Sequence, residues 1–240
     1  MKPDIVYLFA MGHTFWRDQE LRYSLRSLEK QGENYGNIIL VGDKPPYLNG
    51  KIIHIPQSDN SLHCHERRIY EKLLVACNTP EISDPFIFFN DDYFLTKPID
   101  FSNIGYYFSI NIEDKIIKRS RNDLYKKTMR NTFAVLKEKG LKTRYFDIHY
   151  PMQYYKNKFI EAMKKYDWEI NAGYLIKSLY ANTLRIKGEK RKDYKIKNNL
   201  SKDELKRLII LTDLFSTEKI YRNTAEYLVK KYRAKSSYEE

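Results

Sequence analysis

The sequence predicts an α/β protein, a mixed sheet flanked by helices with a mostly helical C-terminal part, and three observations support this. Short apolar runs alternate with helix-period segments through the first half, the signature of layered strands and helices. The most apolar run, Phe86-Ile87-Phe88-Phe89, offers no polar face, which marks a strand buried on both sides. Beyond residue 120 such runs thin out, and basic, helix-period stretches replace them.

Residues 4–10, Asp-Ile-Val-Tyr-Leu-Phe-Ala, read as the first strand. Over residues 20–31, Leu21, Leu25 and Leu28 recur at i, i+4 and i+7 on one helical face, and Gly32 supplies the stop. Ile38-Ile39-Leu40-Val41 is a buried strand, broken by Gly42-Asp43-Lys44-Pro45-Pro46. Residues 52–55 form another short strand, and residues 57–64 a polar loop. Helix 65–77 places Ile69, Leu73 and Ala76 on one face. The strand at Phe86–Phe89, expected to be central, runs straight into Asn90-Asp91-Asp92. Residues 106–110 suit a further strand, 111–120 a polar loop, and 121–139 a basic helix ending at Gly140. Residues 155–166 and 202–232 read as helical, and residues 235–240 as a frayed tail. With no internal repeat or low-complexity linker, an α/β core over 1–151 and a helical part over 152–240 are expected to form one compact unit.

The bulk properties narrow the function classes. With 240 residues, 42% of them hydrophobic, the chain can bury a sizeable core. No apolar run approaches the roughly 20 residues of a membrane span. The N-terminus enters a strand without a basic region or cleavage site, so a soluble cytoplasmic protein is expected. Cys64 and Cys77 make neither a metal motif nor a disulfide framework. The formal net charge of +12 favours anionic partners such as sugar nucleotides, nucleic acid or acidic glycans. Enrichment in Lys, Ile, Asn and Tyr together is also what an AT-rich genome produces, so the charge leaves both readings open.

The sharpest signal is the acidic pair. Ligands of open α/β sheets bind outside the carboxyl ends of the strands, where Asp91 and Asp92 fall. Adjacent carboxylates beside a hydrophobic strand repel and lose hydration unless a cation neutralises them. Mg²⁺ or Mn²⁺ held by such carboxylates plus substrate phosphates would offset charge developing on a diphosphate leaving group. Strand alternation sends the two side chains different ways, with Asp92 the favoured metal ligand. A polar turn capped by Asp92 is the plainer alternative.

Two windows then resemble a known family. Glu20-Leu21-Arg22-Tyr23-Ser24-Leu25-Arg26-Ser27-Leu28-Glu29 resembles the ELRYSLRS-E segment of Stealth-type sugar-phosphate transferases. Phe88-Phe89-Asn90-Asp91-Asp92-Tyr93-Phe94-Leu95, with Pro98 following, resembles their F-NDD-FL segment. Ile38–Asp43 is similar to the region between, and His149-Tyr150-Pro151 to a later H-P segment. A looser similarity reaches GT-A-type glycosyltransferases of bacterial capsule or phage origin, whose DxD-like motif binds a divalent cation and the donor diphosphate. The resemblance implies a GT-A-like, Rossmann-like fold in which residues 1–151 bind a nucleotide sugar and residues 152–240 complete the acceptor side. The strand end that reads YTWVDG-like in Stealth proteins is Tyr7-Leu8-Phe9-Ala10-Met11-Gly12 here, without the acid. Plain glycosyl transfer therefore precedes sugar-phosphate transfer as the expectation.

Other residues are candidates around that centre. Arg22 and Arg26, at i and i+4 away from the leucines, suit phosphate binding, or else a solvated face paired with Glu29. Asp43 suits a ribose or uracil edge, or a turn before the prolines. In the cluster His63, His65, Glu66, Arg67 and Arg68, with Lys72 one turn on, Arg68 and Lys72 are preferred as donor contacts and the histidines as ordinary polar residues. His149 is a candidate metal ligand or general base, and Asp147 the other base candidate. The run Lys187–Lys197, with Tyr194 inside it, reads first as a solvated loop and second as a track for a phosphate backbone or acidic glycan. The expectation is a metal-dependent glycosyltransferase using a UDP- or other nucleotide-activated sugar, with Mn²⁺ or Mg²⁺. Its acceptor would be a surface glycan or a modified DNA base. The alternatives are a Stealth-like hexose-1-phosphate transferase and a non-enzymatic nucleic-acid-binding protein.

Overall fold

A computed structural model describes residues 2–12, 16 and 18–240. Along the chain, β1 (Asp4–Phe9) leads through α1 (Gln19–Gln31) and the short β2 (Gly32–Glu33) to β3 (Ile38–Gly42) and β4 (Ile53–Ile55). Helix α2 (His65–Asn78) returns the chain to β5 (Phe86–Phe89). An excursion then carries β6 (Phe94–Leu95), β7 (Ile99–Asp100), β8 (Tyr107–Phe108), α3 (Ile112–Lys118) and α4 (Leu124–Glu138) before β9 (Met152–Tyr154). The remainder is α5 (Lys156–Met163), α6 (Ile176–Thr183), β10 (Glu189–Lys190), β11 (Lys195–Ile196), α7 (Lys202–Leu211), β12 (Leu214–Thr217) and α8 (Arg222–Lys231). No helix among the described residues is long and apolar enough to cross a membrane.

The central sheet has the order β4-β3-β1-β5-β9. Its first four strands are parallel, and β9 runs antiparallel to β5. This is the mixed α/β sheet the alternating runs predict. All of β3 and β5 is buried, as continuous apolar strands must be when both faces are covered. The chain steps from β1 out to β3 and β4, then returns on the other side of β1 as β5. That reversal opens a crevice at the carboxyl ends of β1 and β5.

Local sequence explains the elements that place this crevice. Leu21, Leu25 and Leu28 of α1 are fully buried along one stripe. The helix stops at Gly32, whose N–H bonds Leu28 O and where an added Cβ would lie 2.7 Å from that same oxygen. Gly42 ends β3 at φ +126°, and a Cβ there would fall 1.9 Å from Phe9 O of the neighbouring strand. Only glycine fits both demands.

Several expectations are corrected. The stretch expected as a loop over 111–120 contains α3, because Ile112 and Ile116 fall on one face and Ile112 is wholly buried. The long helix expected over 202–232 is split by β12, which pairs with β6 and β11. Phe215 of β12 joins Phe94, Leu205, Leu228 and Tyr232 in a second apolar cluster, so tertiary burial overrides helical propensity there. The strand expected over 106–110 shrinks to β8, paired with β10. The tail is docked, not frayed: Arg26 donates to both carboxylate oxygens of Glu239 at 2.6 and 2.7 Å, and Glu239 bridges to Leu48. Helix α6 escaped the sequence reading because almost every residue in it is buried, which erases amphipathic contrast. Strand β9 begins one residue past the division at 151 yet belongs to the central sheet, and one apolar core runs from Ile5 to Leu214.

Candidate active site

The chain leaves β5 in a tight turn, Tyr93 N–H bonding Asn90 O at 3.2 Å. This turn presents Asp91 and Asp92 to a cleft of about 530 Å³. Burial raises the Asp91 carboxyl above the usual range, and Asp92, Glu20 and Asp18 push it the same way. Asp92 Oδ1 is buried and accepts no hydrogen bond from any described residue. A carboxylate oxygen without a donor is costly to hold in a protein interior, so a partner that met Asp92 Oδ1 in the cleft would relieve that cost.

The opposite side of the cleft is built by segments remote in sequence. Tyr93 is buried, and Lys177 Nζ donates to its hydroxyl at 2.9 Å, to Ile148 O at 3.1 Å and to Tyr150 O at 2.8 Å. Burial brings the Lys177 ammonium down to about 8, against the pull of Asp147, Asp193 and Asp92. Asp147 accepts the backbone N–H of Lys177 at 3.3 Å and of Ser178 at 2.9 Å, and the Ser178 hydroxyl as well. It thereby caps the N-terminus of α6 from a distant loop. Burial still raises its carboxyl, with Ser178 and Lys177 opposing the shift.

His149 lies beside Asp193 and Lys195. Its Nδ1 is 3.1 Å from both oxygens of Asp193, and Lys195 Nζ is 3.0 Å from Nε2. Desolvation pushes the Asp193 carboxyl up, but hydrogen bonds from His149 outweigh it and hold the group low. This arrangement puts the Nδ1 proton toward the carboxylate and leaves the Nε2 lone pair facing Lys195. Arg191 fastens the segment: it stacks 4.0 Å over Tyr150 and pairs with Asp213.

Of the sequence candidates, Asp91, Asp92, Asp147 and His149 all line this cleft. Arg22, Arg26, Asp43, Arg68 and Lys72 do not. Arg26 is committed to Glu239, and Arg22 lies 4.1 Å over the Tyr47 ring with Glu239 at 3.3 Å, so these guanidinium groups secure the tail. Arg68 and Lys72 both face Asp59, and Lys72 Nζ also donates to Phe9 O at 3.0 Å. Asp43 accepts the Met11 N–H at 2.8 Å and stands at the end of β3, near the crevice but outside the cleft lining. Both ring nitrogens of His149 are engaged by protein groups, and an ammonium sits where a metal would have to approach Nε2. Among the described residues no three His, Cys, Asp or Glu side chains gather as a metal site.

The cleft also holds residues that sequence reasoning missed or set aside. Glu66, at the start of α2, has its carboxyl raised to about 7 by burial, with Asp147 adding to the shift. Lys115 and Arg119 come from the stretch expected as a loop, and Lys195 and Lys197 from the run read first as solvated. Lys177 did carry a signal: it is a single charge within the apolar run Tyr174-Leu175-Ile176-Lys177-Ser178-Leu179-Tyr180, where an isolated lysine needs a built partner set.

No protein-family model matches the chain, and no curated protein does. Among solved structures, the chain is similar to the apo form of the glycosyltransferase GlyE of Streptococcus pneumoniae TIGR4, at 10% identity and a TM-score of 0.38. That match covers 92% of this chain and 55% of the other. A second structure of GlyE matches at 10% identity and a TM-score of 0.36, over 79% of this chain and 45% of that one. The chain thus spans about half the length of these structures.

Proposed function

We propose that this chain is a metal-dependent glycosyltransferase that moves a sugar from a nucleotide-sugar donor to a hydroxyl acceptor. The observation that carries this reading is the unsatisfied Asp92 Oδ1, beside Asp91, at the carboxyl end of β5 and the switch point of the sheet. The nucleotide would lie across the ends of β1, β3 and β5, with Asp43 near the ribose. Asp92, joined by Asp91 once it loses its proton, would hold Mg²⁺ or Mn²⁺. Two protein carboxylates suit an ion that takes its remaining oxygens from substrate phosphates and water. When bound, the ion supplies neutralisation of the departing diphosphate.

The chain's own residues supply the rest. His149 Nε2 takes the proton of the acceptor hydroxyl as general base, with Asp193 orienting the ring through Nδ1. Lys195 must move off Nε2 as the acceptor enters. Asp147, expected from sequence as the other base candidate, acts as a positioning residue that anchors α6 and with it Lys177.

A thermal-shift screen of UDP-sugars with and without Mn²⁺ tests the reading, since a ligand of the native state raises the melting temperature. Stabilisation is expected only with both present and is lost in Asp92→Asn, which keeps the fold and loses turnover. Equal stabilisation of Asp92→Asn, or turnover by it, would overturn the metal assignment. The windows Glu20–Glu29 and Phe88–Leu95 favour a second reading, hexose-1-phosphate transfer. That reaction releases nucleoside monophosphate where glycosyl transfer releases diphosphate, so product analysis separates them.

A further inference from the structure

The cleft carries a second charged feature that a donor at the acidic lip leaves unused. Helix α3 contributes Lys115 and the residue that ends it contributes Arg119, and β11 with the residue after it contributes Lys195 and Lys197. Arg119 pairs with Asp123, and Lys195 lies against His149. Lys115 and Lys197 form no ion pair with any described carboxylate; the Lys115 ammonium rests 4.7 Å over the Tyr145 ring. Burial lowers the Lys115 ammonium, and the charges of Lys197 and Arg119 lower it further against the pull of Asp193. Like charges focused into one cleft repel each other and concentrate anions there. Asp193, which His149 engages, and the exposed Glu218 also line the cleft.

We propose that this basic wall binds the acceptor, and that the acceptor is a phosphorylated sugar or polyol whose phosphate lies near the reacting hydroxyl. The proposal rests on the reading of Asp91 and Asp92 as the donor side. Lys195 stands 3.0 Å from His149 Nε2, so as it turns from the ring onto a phosphate held with Lys115 and Lys197, a neighbouring hydroxyl of the same molecule takes its place at the general base. Lys115 and Lys197 are near enough for one charge to lower the other's ammonium, in a cleft that Lys195 also lines. A duplex, with one charge per roughly 1.7 Å of its length, calls for a stripe of cations along an open face instead.

Calorimetric titration of the full chain tests this with glycerol 1-phosphate as probe, glycerol as its neutral control, and a single-stranded oligonucleotide. The double variant Lys115→Gln/Lys197→Gln is compared with Lys142→Gln, an exposed lysine outside the cleft. The wild type is expected to bind glycerol 1-phosphate and not glycerol, with affinity at least about tenfold weaker in the double variant and unchanged in Lys142→Gln. Binding of UDP with Mn²⁺ is expected to survive the double substitution. The proposal fails if glycerol 1-phosphate binds no better than glycerol, or if the double variant weakens UDP with Mn²⁺ equally, which would give the wall to the donor. It also fails if the oligonucleotide binds more tightly than glycerol 1-phosphate and is lost in the same variant. If UDP with Mn²⁺ binds no variant while glycerol 1-phosphate behaves as expected, the donor assignment falls and the phosphate site stands.

Discussion

Glu66 couples the cleft to pH. Its carboxyl stands near 7 in the fold against an ordinary 4.5. The folded state therefore keeps a proton that the unfolded chain has lost, and the stability this adds is complete below about 4.5 and declines as pH rises through about 7. The linkage amounts to roughly 3 kcal/mol between the two limits. Glu66→Gln should raise the melting temperature at pH 8 by several degrees and leave it unchanged at pH 4; equal shifts at both pH values would count against burial as the cause. Burial also raises the Asp91 carboxyl to about 7, so Mn²⁺-dependent donor binding, measured by calorimetry between pH 5 and pH 8, should tighten by up to about tenfold per pH unit below 7 as one proton is released. At this scale the sequence exposed Asp91 and Asp92 because they terminate an apolar run. It could not expose Asp193 or Lys195 in their roles, because nothing local distinguishes them from neighbouring charges in a basic loop.

Helix α6 depends on a carboxylate from outside its own sequence. Leu175 precedes it and offers no side-chain cap, so Asp147 satisfies the first free amides instead. Asp147→Ala should cost about 1–2 kcal/mol, the usual loss of an N-terminal cap. Loss of turnover without loss of melting temperature would instead make Asp147 the base. The elements with one apolar stripe or one apolar run were legible, as Leu21, Leu25, Leu28 and Ile38–Val41 show. Helix α6 and strand β12 were not: the first is buried all round, and the second takes its conformation from pairing with Phe94 and Leu95, which lie more than a hundred residues earlier.

Over the whole molecule, the C-terminal part completes the sheet, the cleft and the second apolar cluster, so it behaves as part of the core. The Arg26–Glu239 pair fastens it, with side chains 9% and 2% exposed. Removing one partner of a buried pair leaves the other charge uncompensated and costs about 3–5 kcal/mol. Glu239→Ala should lower stability on that scale and Arg26→Ala by less, because Arg22 still faces Glu239 at 3.3 Å, and the double variant should cost less than the two combined. Additive losses in denaturant titration would show that the pair is not coupled. No local pattern could have linked these residues, because the ion pair spans nearly the whole sequence; residues 235–240 looked frayed only because their partner lies on α1.

The glycine that closes β3 has a consequence for recognising kin. Its backbone angle and the nearness of Phe9 O leave no room for a side chain at position 42. A descendant of the same ancestor can exchange nearly every surface residue, yet it must keep this one atom-sparing position or rebuild the junction of β1 and β3. A glycine at the end of the second long apolar run is thus what a relative of this fold should hold in common with it.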